Sequence, residues 1–166
     1  MEIRFFYPAS YYPHKNHYQL IKAAKIIFKN NPEIKFTLTI EKDIFKNLSP
    51  NIDCIGNISR DKVIKQMKKS DALIFLSSFE SLGIPLIEAS NLGLPIVVPK
   101  LPYAVEILGS NAYYFDPKKN FSESLVNILI KFKEDILLNK VKCSSIRPKI
   151  ITTDSLIQIF VKKLKK

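Results

Sequence analysis

The strongest constraint on folding lies mid-chain, where an apolar run, a loop and a proline-opened helix follow one another without a spacer. Residues 72–76 (Ala-Leu-Ile-Phe-Leu) are short, apolar and rich in aliphatic side chains, so they read as a buried strand. The loop that follows carries Glu80 and Gly83. Pro85 is expected at the first helical position, because proline lacks an N–H and has a preset φ. Gly93 closes that helix and Pro95 prevents its return. Glu80 therefore falls on a strand-to-helix loop, and Glu88 about one turn into the helix.

A helix that starts directly after a parallel strand presents free backbone N–H groups and the positive end of the macrodipole. This is an anion site, and Gly83 allows a ligand close to the backbone. With a carboxylate on each side, the pocket suits a phosphorylated sugar: amides for phosphate, acids for hydroxyls. Taken singly, each acid has a plainer reading. Glu80 is then a solvated loop charge and Glu88 an early-helix acid favoured by the dipole.

The flanking chain alternates strand and helix. Residues 3–7 are apolar and aromatic and end at Pro8, a first strand. A loop to His17 precedes a helix with Leu20, Ile21, Ala24, Ile27 and Phe28 on one face. Residues 35–40 alternate as a second strand, and 52–55 form a short third ended by Gly56. Ser59 is the expected N-cap of a helix over about 60–68. Beyond the central stretch come a strand at 96–98, a short helix at 104–108, a strand at 112–115 and a helix over 121–138. Residues 143–150 read as loop, since Arg147-Pro148 breaks any helix. Thr153 or Asp154 caps a terminal helix over about 153–166. Strand, loop and helix in this alternation are the parallel α/β pattern, here one domain over residues 1–166.

Composition narrows the function classes. Hydrophobic residues make up 46% of the 166, enough for a packed core and too many for a disordered chain. No apolar run approaches a membrane span, and Met1 leads into a strand with no signal-peptide pattern. Cys54 and Cys143 are isolated, which reads as two buried free thiols in a reducing cytoplasm. His14 and His17 sit three apart with no third ligand evident, so a surface or capping role is expected rather than a metal. The net charge of +11 raises nucleic acid, an anionic membrane face or an anionic substrate. Arg4, Arg60 and Arg147 are the only arginines, whereas arginine is the usual residue for bidentate phosphate and base contacts. Nucleic acid is therefore disfavoured, and dispersed lysine reads as solvated surface. The dense cluster at residues 161–166 either touches anionic lipid at the inner membrane face or ends as a frayed, soluble helix.

The run Phe-Glu-Ser-Leu-Gly-Ile-Pro-Leu-Ile-Glu-Ala-Ser from Phe79, followed by Gly-Leu-Pro-Ile-Val-Val, resembles the donor-binding signature of retaining GT-B glycosyltransferases of family 4, the "group 1" type. Two glutamates separated by seven residues, with Gly-(Ile/Leu)-Pro between them, carry the likeness; Leu82 replaces a commoner aromatic. Pro13-His14-Lys15-Asn16-His17 is similar to the family's first loop, where a lysine before Asn or Gly contacts the donor diphosphate. Tyr-Phe-Asp-Pro at 114–117 also resembles the family, and Glu106 sits where it often has a structural glutamate. Three departures stand out. The arginine usually found about six residues before the lysine is absent, with Ala9 and Ser10 in that neighbourhood. Glu41-Lys42 stands where a glycine usually follows the second strand. The first strand here corresponds to the start of a C-terminal domain, so only half of a family enzyme is matched.

The resemblance implies a single Rossmann-like α/β domain, a parallel sheet with helices on both faces, which is one half of a GT-B fold. It implies retaining transfer of a hexosyl unit from a UDP- or GDP-sugar to an acceptor hydroxyl, in cell-surface polysaccharide biosynthesis in the cytoplasm. Lys15 and the amides of Gly83, Ile84, Pro85 and Leu86 would face the leaving diphosphate, and Glu80 the donor sugar. Glu88 would bind ribose hydroxyls, and the backbone at Asn57 and Ile58 the base, unless 57–58 is a plain capping turn. No metal or other cofactor is implied, because the cations and the helix start take that part. The acceptor-binding N-terminal domain is expected elsewhere, in the same polypeptide or a separate chain. A nucleotide-sugar-binding module without turnover remains the alternative.

Overall fold

The computed structural model describes residues 1–143. Six strands form one parallel sheet: β1 (Ile3–Tyr7), β2 (Ile34–Leu38), β3 (Ile52–Cys54), β4 (Ala72–Ile74), β5 (Ile96–Pro99) and β6 (Tyr113–Phe115). The helices are α1 (His17–Phe28), α2 (Arg60–Met67), α3 (Ile84–Asn91), α4 (Pro102–Leu108) and α5 (Phe121–Leu137). Short 3-10 turns at Pro13–Lys15 and Lys42–Ile44 follow β1 and β2.

The strand order is β3-β2-β1-β4-β5-β6, the doubly wound, Rossmann-like order. From β1 the chain moves outward to one edge and then returns past β1 to build the other half. Right-handed crossovers of opposite direction place α1 on one face and α2, α3 and α4 on the other. Helix α5 comes back to pack on α1. Pairing runs in register from Ile3 opposite Ile34 to Tyr7 opposite Leu38.

Burial follows from that layering. Strands covered on both faces need continuous apolar sequence, and β4 and β5 are buried throughout. Strand β2 alternates between buried and half-buried residues. Among the described residues, Phe5, Phe6, Tyr7, Phe36, Phe75 and Phe132 are the aromatic side chains fully out of water. Phe132 of α5 lies 5.2 Å from the Phe5 ring and 5.0 Å from Tyr113, clamping α5 to the sheet. Such a ring contributes about 3–5 kcal/mol against its truncation to alanine. The Asn120 side chain caps α5 by accepting from the Glu123 N–H at 3.4 Å.

Several expectations are corrected in detail. Helix α3 begins at Ile84, one residue early, because Gly83 takes the left-handed N-cap conformation (φ 60°) and leaves Pro85 second. Ser59 does precede α2, yet its side chain makes no capping hydrogen bond. Strand β4 ends at Ile74 rather than 76, although Phe75 N–H still donates to Val97 O at 2.9 Å. His17 is buried, not at the surface, since α1 starts directly beneath Tyr7 and Ala9. Cys54 is buried but Cys143 is exposed, past the end of α5. Of the expected loop over 143–150, all but Cys143 lies outside the described residues, as does the terminal helix. Among the described residues, no helix is long and apolar enough to cross a membrane.

Candidate active site

In an open doubly wound sheet, ligands bind at the C-terminal ends of the strands, where the winding direction reverses. Here that point lies between β1 and β4, which are neighbours pairing Phe5 with Ala72. The two loops leaving these strands carry Lys15 and Glu80.

The β1 exit is fixed by its own buried end. The Tyr7 hydroxyl donates to Lys15 O, and burial raises the Tyr7 phenol pKa far above its ordinary value. Asn16 then takes the left-handed conformation (φ 56°, ψ 32°), which Asn and Gly tolerate better than other residues. Its side-chain amide donates to Leu76 O at 2.7 Å, Ser78 Oγ at 2.8 Å and His14 O at 3.2 Å. The Ser78 N–H returns a bond to His14 O at 2.8 Å. The loops after β1 and β4 are thus one hydrogen-bonded unit.

That unit brings Lys15 and Glu80 into a direct ion pair. Only 16% of the Lys15 side chain and 15% of the Glu80 side chain is exposed, so little water screens them. The ammonium also lies 5.3 Å from the Phe75 ring centre. The Tyr103 hydroxyl of α4 donates to Ser77 O at 2.6 Å, and burial, with the Glu80 charge behind it, raises its pKa. His14 stacks on the exposed ring of Phe79 at 4.5 Å, forming an aromatic rim.

Helix α3 starts beside this pair. Glycine is favoured there by φ, and a Cβ at Gly83 would come 2.7 Å from Ile107 Cδ1, so a side chain would also force that end of Ile107 to move. Pro85 has no N–H, and the Leu86 N–H is taken by Gly83 O at 2.9 Å. Gly83 and Ile84 therefore hold the amides that this helix start can offer, a narrower set than the four residues expected. Glu88 points to the α2 side: Arg60 reaches its Oε1 with Nε at 2.9 Å and Nη2 at 2.8 Å. Glu88 is 13% exposed and Arg60 78%. Both contacts fall on one oxygen, which leaves Oε2 available.

Asn57 and Ile58 leave the β3 end, two strand spacings from β1, roughly 10 Å away. The Asn57 N–H is accepted by Glu41 Oε1 at 3.3 Å. Asn16, Arg60, Tyr103 and Glu41 escaped the sequence reading as site residues. Asn16 carried a signal, since a position restricted to Asn or Gly marks left-handed backbone, and Glu41 carried another, standing where the family usually has a glycine. His14 and His17 do not pair: the Nε2 of His17 faces Ala9 O at 3.2 Å inside the core, while His14 is in the rim. No group of three or more His, Cys, Asp or Glu side chains stands at metal-ligating distance among the described residues.

The sequence profile described as glycosyl transferases group 1 matches residues 1–142. The chain belongs to that family. The serotype-specific mannosyltransferase WbdA of Escherichia coli is 37% identical over 68 residues, covering 41% of this chain and 8% of WbdA. The Escherichia coli UDP-Gal:alpha-D-GlcNAc-diphosphoundecaprenol alpha-1,3-galactosyltransferase is 24% identical over 157 residues, covering 89% of this chain and 40% of that enzyme. Among solved structures, the C-terminal domain of a glycosyl transferase group 1 family protein (LpcC) from Francisella tularensis superposes with a TM-score of 0.71 at 20% identity. That superposition covers 91% of this chain and 85% of the domain. The likeness is one of fold, and the fold is that of a GT-B glycosyltransferase C-terminal domain. This group 1 chain spans less than half the length of the two curated relatives it matches here.

Proposed function

We propose that this group 1 domain is the donor half of a retaining hexosyltransferase. It binds a UDP- or GDP-sugar and serves cell-surface glycan synthesis, with the acceptor held by a separate N-terminal domain. The observation that carries this reading is the convergence of Lys15 and Glu80 on the β1/β4 switch point, beside the Gly83 helix start. In the reaction, the bond between the sugar's anomeric carbon and the diphosphate oxygen breaks while the acceptor oxygen bonds that carbon on the same face and passes its hydroxyl proton to the departing diphosphate oxygen. The sugar passes through an oxocarbenium-like state, and negative charge grows on the leaving diphosphate. Lys15 and the Gly83 and Ile84 amides meet that charge, and each good donor there contributes about 2.7–4 kcal/mol. Glu80 holds the sugar near its reacting carbon. The Oε2 of Glu88 accepts the ribose hydroxyls while Arg60 fixes the other oxygen. Work in the cytoplasm, at the inner membrane face, completes the proposal.

Calorimetry with UDP, GDP and the matching nucleosides tests it. Lys15→Ala is expected to weaken the diphosphates about tenfold or more and to leave the nucleosides nearly unchanged, a difference of about 1.4 kcal/mol or more. Equal losses on both would contradict the phosphate role. The isolated chain is expected to bind donor with little or no transfer, because its fold matches a C-terminal domain alone. Robust transfer by this chain alone would overturn the half-site reading.

A further inference from the structure

The strand-exit residue that departs most from the family pattern is Glu41, and the structure gives its carboxylate a built seat. Gly56 N–H donates to Ile40 O at 3.0 Å, which pins the β3 exit against the β2 exit. A Cβ at Gly56 would lie 2.9 Å from Glu41 Oε1 and 3.1 Å from Oε2, so a side chain there would push the carboxylate aside. Gly56 also sits at φ 69°, where a side chain is strained. From this seat Glu41 Oε1 accepts the Asn57 N–H at 3.3 Å. The open cleft beside it, about 790 Å³, is lined by Glu41, Asp53, Ile55 and Gly56 among others. Its acids do not converge as metal ligands.

We infer that Glu41 selects guanine at the donor site. This rests on the nucleotide-sugar reading above and names the donor class within it. The backbone at Asn57 and Ile58 is where the family resemblance puts the base. An unoccupied amide there would suit a base carbonyl, such as those flanking the single N3–H of uracil. Glu41 has taken the amide and reversed the polarity of the seat. An ionised carboxylate accepts only, through two oxygens and about four lone-pair sites, and one of those sites goes to Asn57. Its best partner is an edge with two adjacent donors. Guanine has one, in N1–H and the 2-amino group. Adenine and cytosine each set an amino donor beside a ring-nitrogen acceptor, and uracil would turn a carbonyl toward the second oxygen. A bidentate, charge-assisted pair thus forms with guanine alone.

Calorimetry on the full chain with GDP, IDP, UDP and ADP separates these cases, since inosine keeps N1–H but lacks the 2-amino group. GDP is expected to bind about tenfold or more tighter than UDP and ADP, with IDP between. Glu41→Gln and Glu41→Gly are expected to collapse the GDP/UDP ratio about tenfold or more, GDP weakening while UDP tightens, most in Glu41→Gly, where the Asn57 amide is freed for a uracil carbonyl. Glu41 is exposed, so thermal melts should show both variants folded. Tightest binding of UDP, or an equal loss of all four ligands in the variants, would make Glu41 a backbone cap and overturn the selection. No binding of any diphosphate would bring down the donor-site reading itself, and the inference with it.

Discussion

Replacing Gly83 by alanine tests the geometry of the α3 start. Two costs are expected. A non-glycine residue in the left-handed region costs about 1–2 kcal/mol, and Gly83 sits at φ 60°. The new methyl would also lie 2.7 Å from Ile107 Cδ1, well inside the 3.5–4.0 Å of comfortable carbon contact. Ile107 is half-buried on α4 and can rotate away, at about 0.5–1.5 kcal/mol for an off-rotamer χ angle. The sum is about 1.5–3.5 kcal/mol, a drop of roughly 3–14 °C in Tm for a domain of this size. Ile107→Val separates the two parts, because it removes the clashing methyl and leaves φ untouched. Urea denaturation of wild type, both single variants and the double variant closes the cycle. We expect Gly83→Ala to be about 0.5–1.5 kcal/mol less damaging in the Ile107→Val background. A Gly83→Ala protein within about 0.5 kcal/mol of wild type, or a cycle with no coupling, would refute the close approach of α4 to this helix start.

Two further outcomes follow from the described geometry. Burial lowers the pKa of His17 to about 4 from an ordinary 6.5, against the opposing pull of the Ala9 carbonyl. The unfolded chain then binds the extra proton between those values, so stability is full above pH 6.5 and falls toward pH 4 by on the order of 2–3 kcal/mol. Urea midpoints across that window should show the slope, and a buried-neutral replacement such as His17→Phe should flatten it; an unchanged slope would refute the assignment. Asn16→Gly should cost about 1–2 kcal/mol through the lost amide bonds, and Asn16→Ala about 1–2 kcal/mol more through φ. Equal losses in the two variants would show that the left-handed backbone does not matter.

The fold was legible wherever one segment carries its own signal. Strand β1 matches the expected residues 3–7, and α1 shows its buried stripe at Leu20, Ile21, Ala24 and Ile27. Gly83 and Pro85 mark the helix start to within one residue, because they constrain backbone locally. What depends on strand order was not legible from periodicity. Lys15 and Glu80 are 65 residues apart, and only the family likeness drew them together before the sheet did. The grip of Arg60 on Glu88 requires α2 and α3 to share a face, and Glu41 meets Asn57 only because β2 and β3 are neighbours. His17 looks like any polar residue at a helix start; its burial comes from Tyr7 and Ala9 above it.

The three bonds from the Asn16 amide have a mechanical consequence. They act as a spindle through two turns that would otherwise wag separately, so the spacing of ammonium and acid is set before any substrate arrives. If a second domain swings over this edge, both charges ride as one rigid part. The hinge must then lie elsewhere.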